Sequence, residues 1–437
     1  MNSNESPQQL CTTGIEHYVR WRADAMSYVN RAIDDAKDYA LPRLVKGWML
    51  HGGRDARFRA DIDQLLVDAR AVLPVSGERE RLLHSSLEFA SSGRGIEAAT
   101  QLEYWLDAHP DDLLVQQLIQ NELFWMGRAQ WMREVTERAA VAWTEQTPGY
   151  GPFLSLRAFA NEEAGALDDA ERFGREAVEI DPADGWGAHA VAHVLMMKGE
   201  MRKGVEWLQQ LSPNWEQTNQ LKHHLWWHVC LFLLESRDYD AILELLTQEI
   251  RNPESPLVKA SPAAPIDIQN YASLLLRLEL YGVDVGERWQ TLAGVCAERV
   301  NNHGNAFGNI HDVMVLCATG QQDKATDMIR SMRECYHAQT GSVALAYNAA
   351  AIPACEAILA HRNKDFAEVL QVLGSVRHDL NLMGASHNQR DVLYHLLVHA
   401  AEQEGRHDLR SIYLRDIERI GFCAVPSRAA YQLSSAH

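Results

Sequence analysis

The chain contains no Cys-x-x-Cys pair, although it carries seven cysteines in 437 residues. Cys11, Cys230, Cys296, Cys317, Cys335, Cys355 and Cys423 are scattered and odd in number. That pattern speaks against a disulfide framework and for reduced thiols in a cytoplasmic compartment. There is no His-Glu-x-x-His, which excludes the usual zinc-protease frame. Gly-x-Ser-x-Gly, P-loop and Rossmann glycine signatures are also missing, so no serine nucleophile elbow and no nucleotide cofactor are expected.

Long hydrophobic runs are lacking as well. The longest, Leu225 to Leu234, is far too short to cross a bilayer and contains His228. The start, Met1 to Pro7, is polar and has no apolar core of a signal peptide. Positive charge is in deficit: 41 Lys and Arg stand against 59 Asp and Glu, a net charge of −18. Such an acidic balance argues against a nucleic-acid partner and against docking to an anionic membrane.

What the chain does have is repetition. Gly165 in Ala164-Gly-Ala166 and Gly199 in Lys198-Gly-Glu200 are 199 − 165 = 34 residues apart, as are Ala170 and Gly204, and Ala177 and Leu211. Small residues there let two helices approach, glycine permits the turn between them, and Pro182 stops the second helix. A 34-residue helix-turn-helix unit is the tetratricopeptide spacing. Further turns are expected near Gly93, Gly127, Arg237-Asp238, Gly282, Gly320, Asn363 and Gly405. Apolar residues recur at helical period between them, as in Ala241 to Leu246 and Leu393 to Ala401, and no strand-turn-strand pattern stands out. The expected fold is all-α: a solenoid of about eight or nine tetratricopeptide-like helix pairs, long enough to curl around a central cavity. Residues 1–30 read as an N-terminal extension, 31–250 and 267–425 as two runs of repeats, and 251–266, with four prolines, as a loop between them.

Several motifs resemble the tetratricopeptide repeat protein 38 family: Trp186 to Gly199, His223 to His228 followed by Glu235 to Asp240, Pro148 to Gly151 with Ala158 to Glu163, His109 to Leu113, Ile310-His311-Asp312, and Gly384 to Asp391. The resemblance runs from about residue 30 to about residue 420, with Asn161 in place of a usual leucine and Arg237 in place of a usual turn glycine. It implies the solenoid fold and names no reaction.

Candidate site residues lie on the first helices of the repeats, which line the hollow of such arrays. His189 with His193, and His224 with His228, are i, i+4 pairs, so each pair shares a helix face. His395 and His399 sit at the same offsets from Gly405 as His189 and His193 do from Gly199. His311 and Asp391 complete the catalytic candidates; Arg390, His387, Glu162 and Trp227 are the substrate-binding ones. Glu163 stands beside Glu162, Asp312 beside His311, and Trp226 beside Trp227. His387, Arg390 and Asp391 begin a helix whose free N–H groups could help bind an anion. His223, His361, His378 and His407 are expected on surfaces. Two chemistries suit the cluster. His189, His193, His224 and His228 could ligate Zn or Fe, or imidazoles oriented by Asp312 or Asp391 could do acid–base work, as in a hydrolase, lyase or isomerase. The alternative is an interaction scaffold that holds a peptide in its groove.

Overall fold

A computed structural model describes residues 5–420 and 428–431; Cys423 and residues 1–4 lie outside the described residues. Among the described residues there is no strand, only an isolated bridge between Arg22 and Thr218. The chain is all-α and built from antiparallel helix pairs of the tetratricopeptide type, from Pro7–Val19 with Ala25–Asp35 to His387–Gln403 with His407–Arg419.

The turns explain the repetition. Left-handed backbone occurs between the paired helices at Trp21, Arg54, Gly93, Gly127, Gly165, Gly199, Arg237, Gly282, Gly320, Lys364 and Gly405. In most of these turns the next residue donates back to the carbonyl five positions earlier, as Arg94 does to Phe89, Glu200 to Leu195 and Arg406 to Ala401, each at 2.8–2.9 Å. That bond satisfies a helix-end carbonyl and requires positive φ, hence the glycines. These eleven turns give eleven helix pairs among the described residues, against an expected eight or nine. The turns at Trp21 and Arg54, which like Arg237 and Lys364 are left-handed without being glycine, account for the difference.

The expected extension is helical too: residues 7–35 form a hairpin whose first helix starts at a Ser6–Gln9 capping box with Pro7 in its first turn. In the expected loop 251–266, Pro256 and Pro265 each sit in the first turn of a helix, Pro256–Ala260 and Pro265–Leu280. There the missing N–H costs nothing, so these prolines start helices and do not exclude them.

The chain divides into two compact units, residues 1–191 with 213–222, and 192–212 with 223–437. The first unit has a continuous apolar core that includes Leu44, Trp48, Leu83, Leu87, Leu118 and Phe159. Residues 213–222 join it through backbone bonds from Ala23 to Gln217 and from Asn219 to Trp21. Within that unit Glu122 is buried against His51 at 2.9 Å and against Arg54.

In the second unit, Gly204 lies so close to Phe232 that an added Cβ would stand 2.2 Å from the ring. The helical run 342–362 is long and apolar enough to span a bilayer, yet 61% of its most apolar window is buried inside this unit, as befits a core helix. Its wide π turn, Tyr347–Ala351, ends two residues before Pro353, which lacks the N–H that a regular turn would need.

Candidate functional site

The second unit concentrates buried polar side chains on its first helices. Helix Leu221–Ser236 carries His223, His224, Trp227 and His228, and His193 comes from Gly185–Met197. His193 and His228 are fully buried and their Nε2 atoms lie 3.1 Å apart. One of two facing ring nitrogens must hold the proton and the other accept it, so the neutral pair shares a single proton there. His224 packs edge-on to His228, with ring centroids 4.8 Å apart, and stacks on Trp227. Its Nδ1 lies 2.8 Å from the Asn270 side-chain oxygen. That oxygen can only accept, so Nδ1 carries the hydrogen and Nε2 keeps its lone pair.

His193, His224 and His228 can each present a ring nitrogen within 4.8 Å of the others. Burial pushes the His224 imidazole down to about 3; the Asn270 bond opposes the shift and His193 adds to it. It is neutral at physiological pH, the state a metal ligand needs.

His311 belongs to helix Ala306–Ala318 and donates through Nδ1 to the Phe307 carbonyl at 2.9 Å. Burial lowers it to about 3 against the pull of that bond. With Trp227, Gln269, Asn270, Ser273, Phe307 and Gln389 it lines a crevice too narrow to admit a water molecule. Trp227 also donates to Ser273 at 3.0 Å. Asn270 and Trp227 therefore belong to both the crevice and the histidine cluster. Helix Pro265–Leu280 was not anticipated as a contributor. Its signal was in the sequence: Asp267, Asn270, Ser273 and Arg277 recur every three or four residues along the helix, and all four are buried.

The remaining candidates have the following surroundings. His189 lies one turn before His193 but belongs to the first unit, where its ring stacks 4.7 Å from Trp186 and 5.6 Å from Phe159. Glu162 and Glu163 are buried at the end of helix Tyr150–Glu163, also in the first unit. Trp227 is a buried core residue and Trp226 is half-exposed.

Arg390 donates to the carbonyls of Gly384 and Ala385 in its own loop, and lies 3.4 Å from the half-buried His387. Its guanidinium thus secures the left-handed Gly384-Ala385 turn, a structural task that the anion-binding expectation overlooked. The helix start beside it is closed by a Ser386–Gln389 capping box. An Asp391 carboxylate oxygen lies 3.0 Å from the His395 Nε2, one helical turn on. Asp312 is bound by Arg299 at 3.1 Å and by Asn309.

Two surface expectations are corrected. His223 is buried against Asp267 at 2.9 Å, and His361 is half-buried against His399 at 3.1 Å. Helix Leu221–Ser236 is covered on nearly all sides, so the neighbour of a buried residue is buried too. His378 and His407 are exposed.

Fold and site together define an all-α, tetratricopeptide-like repeat protein with a buried histidine cluster in its second unit. No family model matches the chain. It is similar in structure to human IFIT1, described as a dimer with PPP-AAAA, at 11% identity and a TM-score of 0.43 over 96% of this chain and 95% of that one. The IFIT1 dimer with m7Gppp-AAAA gives 11% and 0.41 over 96% and 95%, and a monomeric IFIT1 mutant with Gppp-AAAA gives 13% and 0.41 over 94% and 99%. These are likenesses only; the fold class rests on the helix pairs of this chain.

Proposed function

We propose that this chain is a metal-dependent enzyme on a tetratricopeptide-like frame. A divalent transition metal, zinc or iron, would be held by His193, His224 and His228, and would act on a small polar substrate. The observation that carries this is the approach of three buried imidazoles to within 4.8 Å. Three protein nitrogens are the ligand set of a catalytic site with one position open for water or substrate. When bound, the metal would supply Lewis acidity and an activated water, which suits hydrolysis, elimination or isomerisation.

This chain's own residues do the positioning. Asn270 fixes the His224 tautomer and ring plane as an outer hydrogen-bond partner, and Trp227 holds the same ring by stacking. His189, one helical turn from His193, is the fourth imidazole named by this reading. Three of the motifs that resemble the tetratricopeptide repeat protein 38 family, Trp186 to Gly199, His223 to His228 and Ile310-His311-Asp312, fall on helices that carry His193, His224, His228 and His311, and on these we rest a kinship with that family. The free cysteines Cys11, Cys230, Cys296, Cys317, Cys335 and Cys355 support a reducing, cytoplasmic setting.

The test is elemental analysis by plasma mass spectrometry on protein purified without a metal-affinity tag. Near-stoichiometric zinc or iron is expected, lost in His193→Ala and His228→Ala with far-ultraviolet circular dichroism unchanged. Absence of metal from the wild-type chain overturns the metal site and leaves proton transfer by the His193–His228 pair. Binding of PPP-AAAA that is indifferent to both substitutions would replace the reading with nucleic-acid recognition.

A further inference from the structure

The described segment 428–431 is attached to the second unit chiefly by polar bonds. Arg428 donates through Nε to Glu235 at 2.5 Å and through Nη2 to Asp391 at 2.7 Å. The Ala429 N–H donates to the other Glu235 oxygen, and the Tyr431 hydroxyl donates to the other Asp391 oxygen. The Tyr431 carbonyl accepts from Arg410 at 2.8 Å. Arg428 and Tyr431 are buried, and the two carboxylate side chains are each only 3% exposed. The His395 ring meets Tyr431 edge-on, with centroids 5.0 Å apart.

Two carboxylates from two different helices thus grip one guanidinium, a planar fork that lysine cannot imitate. Stripped of a cation, this buried pair would be strongly unfavourable, so the pocket demands an occupant. The manner of binding matters more than the charge. Four consecutive residues, Arg428-Ala-Ala-Tyr431, are read through a first side chain, a backbone N–H, a terminal carbonyl and a second side chain. A groove recognises a peptide in this way, by backbone bonds plus pockets for spaced anchors.

We propose that Glu235 and Asp391, with His395 and Arg410, form a recognition site for an Arg-x-x-Tyr peptide segment, and that the chain's own residues 428–431 occupy it in cis. A partner bearing that segment competes with the tethered copy. This inference is independent of the metal reading, since neither the pocket nor its test involves His193, His224 or His228.

The test titrates the full chain with acetyl-Arg-Ala-Ala-Tyr-amide by calorimetry. The double variant Arg428→Gln/Tyr431→Phe, folded by circular dichroism, is expected to bind the peptide. The wild-type chain binds it at least about tenfold more weakly, because the tethered copy competes at high effective concentration. Adding Asp391→Asn to the double variant abolishes binding, and the Lys-Ala-Ala-Tyr peptide binds poorly. A folded double variant that ignores the peptide, or one that binds it no better than wild type, overturns the proposal. If the double variant does not fold, Tyr431→Phe alone decides: it must bind more tightly than wild type, and equal binding overturns the proposal.

Discussion

The Glu122 cluster of the first unit and the histidine site of the second stand on the same kind of helix pair and bury polar groups in different ways. In the first, buried charge is met by opposite charge. Burial pushes the Glu122 carboxyl up, but Arg54 and His51 outweigh it and hold it at about 2; Asp112 lies against Arg79 at 2.7 Å. Around the site of the second unit the buried groups are neutral imidazoles met by an amide, a backbone carbonyl or another imidazole. An ion pair between fixed partners closes a core. Neutral rings with lone pairs and exchangeable protons leave chemistry available. The frame permits either, and the residues on the first helices choose.

This contrast can be broken by experiment. The largest effect is expected for Arg54→Ala, which leaves Glu122 buried without its guanidinium and should cost about 3–5 kcal/mol in urea unfolding. A cost below that of losing one imidazole would sink the distinction.

Acid should strike the second unit next. His224 and His311 have folded-state values near 3, below the ordinary 6.5. The unfolded chain therefore binds protons first. Their contribution is intact above about pH 6.5 and is lost as pH falls from there toward 3. At pH 5 the deficit is about 1.5 units, or about 2 kcal/mol for each ring. Glu122 acts in a lower window: its contribution is present above about 4.5 and fades as pH falls toward 2. Hydrogen exchange at pH 5 against pH 7, corrected for intrinsic rates, should show more loosening of the helices around His224 and His311 than of those around Glu122, where burial lowers His51 alone and Glu122 opposes the shift. Uniform loosening would contradict this.

Replacing His228 with leucine removes one partner of His193 and should cost about 1–3 kcal/mol, less than Arg54→Ala. The smallest effect compares two turns. Gly165 has φ +84° and open space around its missing Cβ, so Gly165→Ala meets backbone cost alone, about 1–2 kcal/mol. Arg237 occupies the matching place in the second unit at φ +58°, and Arg237→Gly should stabilise by up to about 1 kcal/mol. Thermal midpoints moving in the same direction for both would refute a shared turn geometry.

Nine of the eleven turns were legible in the sequence, seven through a left-handed glycine and two, at Arg237-Asp238 and near Asn363, through the helix pattern that frames them. Trp21 and Arg54 left no such mark, since left-handed φ in another residue type follows from the carbonyl bonds it completes. The histidine pairs were legible because i, i+4 spacing puts side chains on one face. Their partners were not. Asn270 lies 46 residues from His224, and only the packing of two helices brings them to 2.8 Å. The same holds for Arg390, whose charge suggested an anion site while its geometry serves the turn before it.

The sequence by itself determined the helices, most of their turns, the acidic balance and the faces on which the histidines lie. Those properties depend on φ preference, hydrogen bonds over a few residues and helical period, all local in the chain. Which imidazole meets which, and that Arg428 closes on Glu235 and Asp391, was decided by tertiary structure alone. Such pairings depend on distances between segments up to 193 residues apart in the chain, and only the packing of whole helices sets those distances.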